Sequence, residues 1–345
     1  MKKTLKYTGL TILVLVVLGS IWQRELIGYG WIQLKGQLQV VNEAIPLEEF
    51  LELPETTDEQ KARVKTILEA KAYAFNELGI NYSENYSKIF DQGGKPSMYV
   101  VTACEPFEFR AKTWDFPILG AFPYKGFFVR EKAVEEYRRI KALPDSFDVG
   151  LRTAGGWSTL GWFQDPVLSN MLNRTEGDLA SLIIHELTHG TLFVKDSVTF
   201  NENLATFIGD AGAILYLEDK YGIEAEEVKQ YKAQMADEER FKSYVLFAAK
   251  SLEKLYRGFS NETYSEKKAL KKLMIDDIIS SYDTVNFESD RYKQVFARNR
   301  TNNTYFMSFL RYNSQQDILK DELETQFNGD LKAYMEYLKS KYPSI

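Results

Sequence analysis

Histidine occurs only twice in this chain of 345 residues, and both copies fall in one stretch of five: His185-Glu186-Leu187-Thr188-His189. Residues four apart on an α-helix stand one turn above each other, so a helix here aims both imidazoles at one point. This is H-E-x-x-H, the pattern in which two imidazoles take zinc and the glutamate acts on a water beside it. Glu186 lies about 100° round the helix, close enough to reach that water without becoming a ligand. The alternative is a chance match on a buried helix whose histidines are satisfied by core hydrogen bonds. Two buried imidazoles beside a buried carboxylate are costly without a metal, which favours the metal reading. Asp178 is placed to cap this helix, and Leu179, Leu182, Ile183, Leu187 and Leu192 give it apolar flanks. Gly190 costs about 1 kcal/mol against alanine in a helix interior, and suggests that another segment approaches closely there.

A catalytic zinc site uses three protein ligands and an open fourth position. With no third histidine, the remaining ligand is a carboxylate or Cys104. Glu202 follows a turn at Lys195-Asp196-Ser197 and opens a second helical pattern through Asp210, Ala213, Leu217 and Tyr221. It is the favoured third ligand beside His185 and His189. Thr199 and Glu202 equally spell a capping box, in which that glutamate only closes the helix start. Asp196 and Asp210 are the competing carboxylates. Asp210 can also be read as a hydrogen-bond partner of a ligand histidine, or as an ordinary exposed aspartate.

Several other chemistries are excluded. The net charge is −6 and no basic stripe appears, which argues against nucleic acid as a partner. No P-loop and no glycine-rich dinucleotide fingerprint is present. Cys104 is the only cysteine, so no internal disulfide forms. A Ser-His-Asp or Cys-His site would need one of the two histidines already placed in H-E-x-x-H, which leaves Cys104 as a buried structural thiol.

The N-terminus bears on location. Lys2, Lys3 and Lys6 precede an apolar run from Tyr7 to Trp22, the pattern of an export signal. The run is slightly shorter than the roughly twenty residues of a relaxed span. Val17-Leu18-Gly19 before Ser20 lacks the usual Ala-x-Ala, so an uncleaved membrane anchor is expected, with a cleaved signal peptide as the alternative. Lysines on the short side place the body outside the cytoplasm, periplasmic or extracellular.

The coarse reading is α+β. Residues 1–29 form the signal or anchor, and 30–345 form the catalytic domain, with a mixed half over 30–175 and a helical half over 176–345. Helices are expected over about 30–52, 58–78 and 131–142, and strands over 97–103, 116–129 and 148–153. The charged segment from Ala225 to Lys254 reads as a solvated helix. Gly155 to Thr159 reads as an extended edge following the last strand.

The motifs resemble those of the bacterial predicted zinc aminopeptidase family. The resemblance rests on Ser181 to Ile208, where H-E-x-x-H is closely followed by F-N-E-x-x-A-T-F. Upstream, Ser158 to Leu168 matches S-T-L-G-W-F-x-D-P-V-L. Lys112 to Pro117 and Tyr124 to Phe128 resemble K-T-W-x-F-P and Y-x-G-Y-F, with Phe127 at the second tyrosine of the latter. Gly36-Gln37-Leu38, Ile45-Pro46 and Asn302-Asn303 also fit, so the resemblance spans about residues 30 to 315. Asp115 stands where many members carry cysteine, so no cysteine-dependent feature is carried over at that position.

The resemblance implies a gluzincin-like zinc peptidase acting on a peptide substrate, with one zinc held by His185, His189 and Glu202. It implies a thermolysin-like scheme in which Glu186 is the general base and then the general acid. Peptide backbone is expected to pair with the edge strand at Gly156, Trp157 and Ser158. The oxyanion needs a donor besides the metal, and Tyr312 is nominated for it, with Tyr305 as the alternative. Glu105, Glu108 and Asp115 are available to hold a substrate amine. Zinc endopeptidase and a non-catalytic, membrane-anchored peptide-binding protein are the competing readings. Oligomeric state is not implied.

Overall fold

Short alternating segments before residue 170 and long 3.6-period segments after it produce a mixed α+β molecule with a mainly helical C-terminal half. The computed structural model describes residues 24–116, 120–144, 147–154, 164–293, 295–298 and 301–342, without the side chains of 297, 298, 311 and 312. Helix α1 (Arg24–Glu43) leads to β1 (Ile45–Pro46) and the short α2 (Leu47–Glu52). One helix over 30–52 is therefore incorrect. Pro46 has no backbone N–H and drives its predecessor to extended backbone, so the helix breaks where Ile45 and Pro46 pair with a strand. Helix α3 (Asp58–Glu77) starts as expected. Thr57 accepts from Gln60 N at 3.2 Å and Gln60 returns the bond to Thr57 N at 2.9 Å.

The strands are β2 (Lys88–Phe90), β3 (Tyr99–Cys104), β4 (Trp114–Phe116), β5 (Gly120–Phe122), β6 (Lys125–Phe127), β7 (Asp148–Thr153) and β8 (Val167–Leu168). Helix α4 (Arg130–Lys141) lies between β6 and β7. The sheet that matters for the site has the order β6-β3-β7 and is antiparallel, with Val100 opposite Arg152 and Thr102 opposite Gly150. β7 lies at one edge of that sheet among the described residues, while the expected edge at Gly155 to Thr159 lies outside the described residues.

Among the described residues seven longer helices and one short one follow: α5 (Glu176–Thr191), α6 (Val198–Tyr221), α7 (Glu226–Arg257), α8 (Tyr264–Tyr282), α9 (Val295–Arg298), α10 (Asn303–Asn313), α11 (Gln316–Phe327) and α12 (Leu331–Lys341), α9 being the short one. The largest core joins α3, α5, α6, α11 and α12 through Ile67, Leu179, Ile183, Ile208, Leu323 and Tyr334. A second, aromatic-rich core joins α7, α8 and α10 through Phe241, Tyr282 and Phe306.

Asn302 and Asn303 join the helical half to the sheet. Asn302 Nδ2 donates to Val149 O at 3.2 Å, Asn303 N to Asp148 Oδ2 at 2.8 Å, and Asn303 Nδ2 to Glu105 O at 2.9 Å. Helix α10 comes this close because β7 has glycine at 150. A Cβ there would lie 2.6 Å from Thr304 Oγ1. Among the described residues no helix is long and apolar enough to cross a membrane. The apolar run from Tyr7 to Trp22 lies outside the described residues.

Cys104 ends β3, fully buried, with its thiol toward Glu108 O at 3.2 Å. Burial, and then the charge of Asp148, push its pKa up to about 12. The folded state therefore keeps the proton that the unfolded thiol loses. Stability from this group is present below pH ~9 and is lost as pH rises toward 12. Native protein at pH 8 is expected to resist thiol reagents until denaturant is added. Prompt labelling of native protein would contradict this burial.

Candidate metal centre

Helix α5 starts at Glu176 because Thr175 caps it, accepting from Asp178 N at 3.3 Å. Asp178 is thus a first-turn residue and not the cap. Its carboxylate instead receives Arg291 Nη1 at 3.0 Å. After His189 the helix closes at Thr191, and the chain reverses through Asp196, which has a φ of +58°. Helix α6 then begins at Val198, so Thr199 is already helical and the Thr199–Glu202 capping box does not form.

The residues flanking Glu202 fasten the start of α6. Asn201 Oδ1 accepts from Val194 N and its Nδ2 donates to Val194 O, both at 2.8 Å. Asn203 is fully buried and accepts from Gln315 N at 2.8 Å. Side chains on either side of Glu202 are therefore spent on backbone, which fixes the register of the turn that carries it.

The two helices cross at glycine. A Cβ on Gly209 would sit 2.7 Å from Ser181 O and 3.1 Å from His185 Cβ, so only glycine permits this approach. Gly190, which the sequence suggests as a point of close approach, has nothing within 4 Å of a built Cβ. The contact lies on the partner helix.

With the helices at this distance, three donor groups converge. The Nε2 atoms of His185 and His189 are 3.2 Å apart, and Glu202 Oε2 is 3.7 Å and 3.6 Å from them. Ligands at about 2.0–2.1 Å from a tetrahedral metal are separated by roughly 3.3 Å, so these spacings fit a metal with small adjustment. The chemistry of the donor set fits too: two imidazoles and one carboxylate, all within 4.8 Å of one another.

Electrostatics agree with a cation at this point. Burial opposes the ionised form of Glu202, but hydrogen bonding and charge from His185 and His189 hold its pKa well below the usual carboxylate range. Burial likewise opposes charging His189, and the Glu202 carboxylate outweighs it, holding the imidazole above its ordinary value. Outer support is thin. Thr206 Oγ1 lies 3.5 Å from His185 Nδ1, and His189 Nδ1 is buried with no partner among the described residues.

Glu186 is 7 % exposed, lines the same cleft, and makes no hydrogen bond or ion pair among the described residues. A carboxylate held beside three metal-binding groups and left free is available to a water.

The cleft measures about 410 Å³ and runs between the helix pair and the sheet, whose Val100, Arg152 and Ala154 form its opposite wall. Helix α7 adds Tyr231 and Glu238 and sends Lys242 to Asp210, so the charged segment is not merely a solvated face. Its apolar positions Val228, Tyr231, Phe241, Val245 and Leu252 carry the helical period that betrays a buried side.

Asp210 is neither a ligand nor bonded to a histidine. It receives Ser181 Oγ at 2.9 Å and Lys242 Nζ at 3.3 Å. Lys242 also pairs with Glu238 at 3.3 Å. Every acid of the cleft other than Glu186 and Glu202 therefore faces a cation. Glu105 and Glu108 pair with Arg110, and neither they nor Asp115 lines the cleft. Asp196 lies in the turn, outside the donor cluster.

Tyr305 packs on Phe296 and Phe306 and lines a neighbouring hollow. Tyr312 lies on α10, but its side chain is outside the described residues, as are Gly156, Trp157 and Ser158 altogether. β7 leads toward them with Arg152 and Ala154 on the cleft wall. Among the described residues Tyr124 and Tyr231 are the tyrosines that line the cleft; the sequence pointed to Tyr124 only as the start of a motif and to Tyr231 not at all.

The sequence profile of the family described as "Putative aminopeptidase" matches residues 28–341. No curated protein and no solved structure matches the chain.

The two glycines separate cleanly by experiment. Gly209→Ala is expected to destabilise the fold by about 1–3 kcal/mol, because backbone must move, and to disturb the spacing of the three donor groups with it. Gly190→Ala is expected to be neutral or to stabilise by up to about 1 kcal/mol. Thermal melting with and without zinc compares them; equal behaviour would contradict the crossing point.

Proposed function

The chain belongs to the "Putative aminopeptidase" family, and from that premise we propose that it is a zinc-dependent peptide hydrolase of gluzincin type, acting as an aminopeptidase. The observation that carries the metal is the convergence of His185 Nε2, His189 Nε2 and Glu202 Oε2 on one point between two helices. These three residues are the proposed ligands of one zinc ion. Zinc supplies an acidified water and a polarised scissile carbonyl.

The protein's own groups do the rest. Glu186, buried and without an ion pair among the described residues, accepts the proton of the attacking water and returns it to the leaving amine. The sheet wall holds the peptide in extended form, with Gly156, Trp157 and Ser158 as the proposed pairing edge beyond β7. The apolar run from Tyr7 to Trp22 keeps the enzyme at the membrane, with its body on the outer side.

Endopeptidase action is the second reading, and one observation favours it. Asp178, Asp210 and Glu238 are engaged by Arg291 and Lys242, which among the described residues of the cleft leaves Glu186 and Glu202 to meet a free amine. A panel of peptides, blocked and unblocked at the N-terminus, separates the two. Wild-type protein is expected to bind one zinc per chain and to cleave only unblocked peptides. Glu186→Gln is expected to keep the zinc and lose turnover by about 10²-fold or more. Cleavage of blocked peptides moves the reading to endopeptidase. Unaltered turnover in Glu186→Gln removes the glutamate from the chemistry.

A further inference from the structure

Helix α1 carries apolar residues on the wrong side for packing. Its inner face is built from Tyr29, Gln37 and Val40, with Tyr29 against Phe116 and Phe127 and Gly36 against Phe128. On the outer face Ile27 is 52 % exposed, Trp31 68 %, Leu34 42 % and Leu38 40 %. Their spacing of four, three and four places them within about 60° of arc, nearly opposite the packed face. A stripe of four large apolar side chains on one exposed helix face marks a contact surface.

Charge around the stripe selects its partner. Arg24 and Lys35 flank it on one side at about 60°, and neither has an ion pair among the described residues. Glu25 and Glu43 lie about 150° away, toward the body. A second copy placed face to face would bring the same two cations together. An anionic bilayer surface takes both the apolar stripe and the cations. The described part of α1 is not apolar enough to span, and in the sequence Arg24 follows Trp22, the end of the apolar run, by two residues.

We propose that α1 is an interfacial helix that lies on the bilayer, with Ile27, Trp31, Leu34 and Leu38 in the headgroup boundary, and that it holds the catalytic body against the membrane. This rests on the membrane placement given above and not on the metal chemistry. The attachment then has two parts, the apolar run and the stripe, so the body is oriented as well as tethered.

The test uses the full chain in vesicles of phosphatidylcholine and phosphatidylglycerol, some carrying bromine near the headgroups. Tryptophan quenching is compared for wild type and Trp31→Phe, and the difference reports Trp31 alone. The expected result is a clear Trp31-dependent share of quenching that falls to background in Leu34→Glu/Leu38→Glu, with melting temperature unchanged. Chain that enters vesicles without Trp31-dependent quenching overturns the interfacial helix and spares the anchor. Chain that stays out of vesicles overturns both, while leaving peptide hydrolysis to its own test. Trp31 shielded in solution by self-association that Leu34→Glu disrupts would assign the stripe to a second copy instead.

Discussion

The site depends on how closely α6 can lie on α5. Gly209 sets that distance, because its missing side chain lets the helix press on Ser181 O and the backbone of His185. Glu202 stands seven residues, about two turns, before Gly209 on the same face of α6. His189 stands one turn beyond His185 on α5, and the helices run in opposite directions. One contact between backbones thus brings a carboxylate opposite both imidazoles. Asn201 and Asn203 then hold the turn so that Glu202 cannot slide along the groove.

Placing an ionised carboxylate in that gap would be unfavourable if it stood alone. Here it is held by the two imidazoles, and they are held by it. The same three groups can share a proton or take a cation, and their spacing suits a tetrahedral ion. Around them the cleft is charged but balanced. Asp178, Asp210 and Glu238 are matched by Arg291 and Lys242, while Arg152 and Arg174 line it with no ion pair among the described residues. Among the described residues Glu186 is the buried acid of the cleft left without a hydrogen bond or ion pair.

Much of this was legible in the residues, for identifiable reasons. Helix spacing puts His185 and His189 on one face, and the turn after Thr191 is short enough that Glu202 must return past them. The 148–153 strand and the start of the helix expected from residue 58, capped by Thr57, have local causes and appear where expected. What the sequence hid is tertiary. No local signal distinguishes Gly209 from Gly190, since both are small residues in helices and only the packing tells which one is touched. Asp178 looked like a cap because Thr175, the residue that does the capping, stands three places earlier with the same chemistry. Lys242 and Arg291 come from distant segments, so their pairing with cleft acids could not be read from spacing.

X-ray absorption at the zinc edge, on wild-type protein loaded with one equivalent, tests the three-ligand centre most directly. Two imidazole nitrogens and oxygen ligands at about 2.0–2.1 Å are expected, with one oxygen ligand and most of the affinity lost in Glu202→Ala. A shell with no imidazole, or one unchanged by Glu202→Ala, would contradict the site that the two helices form.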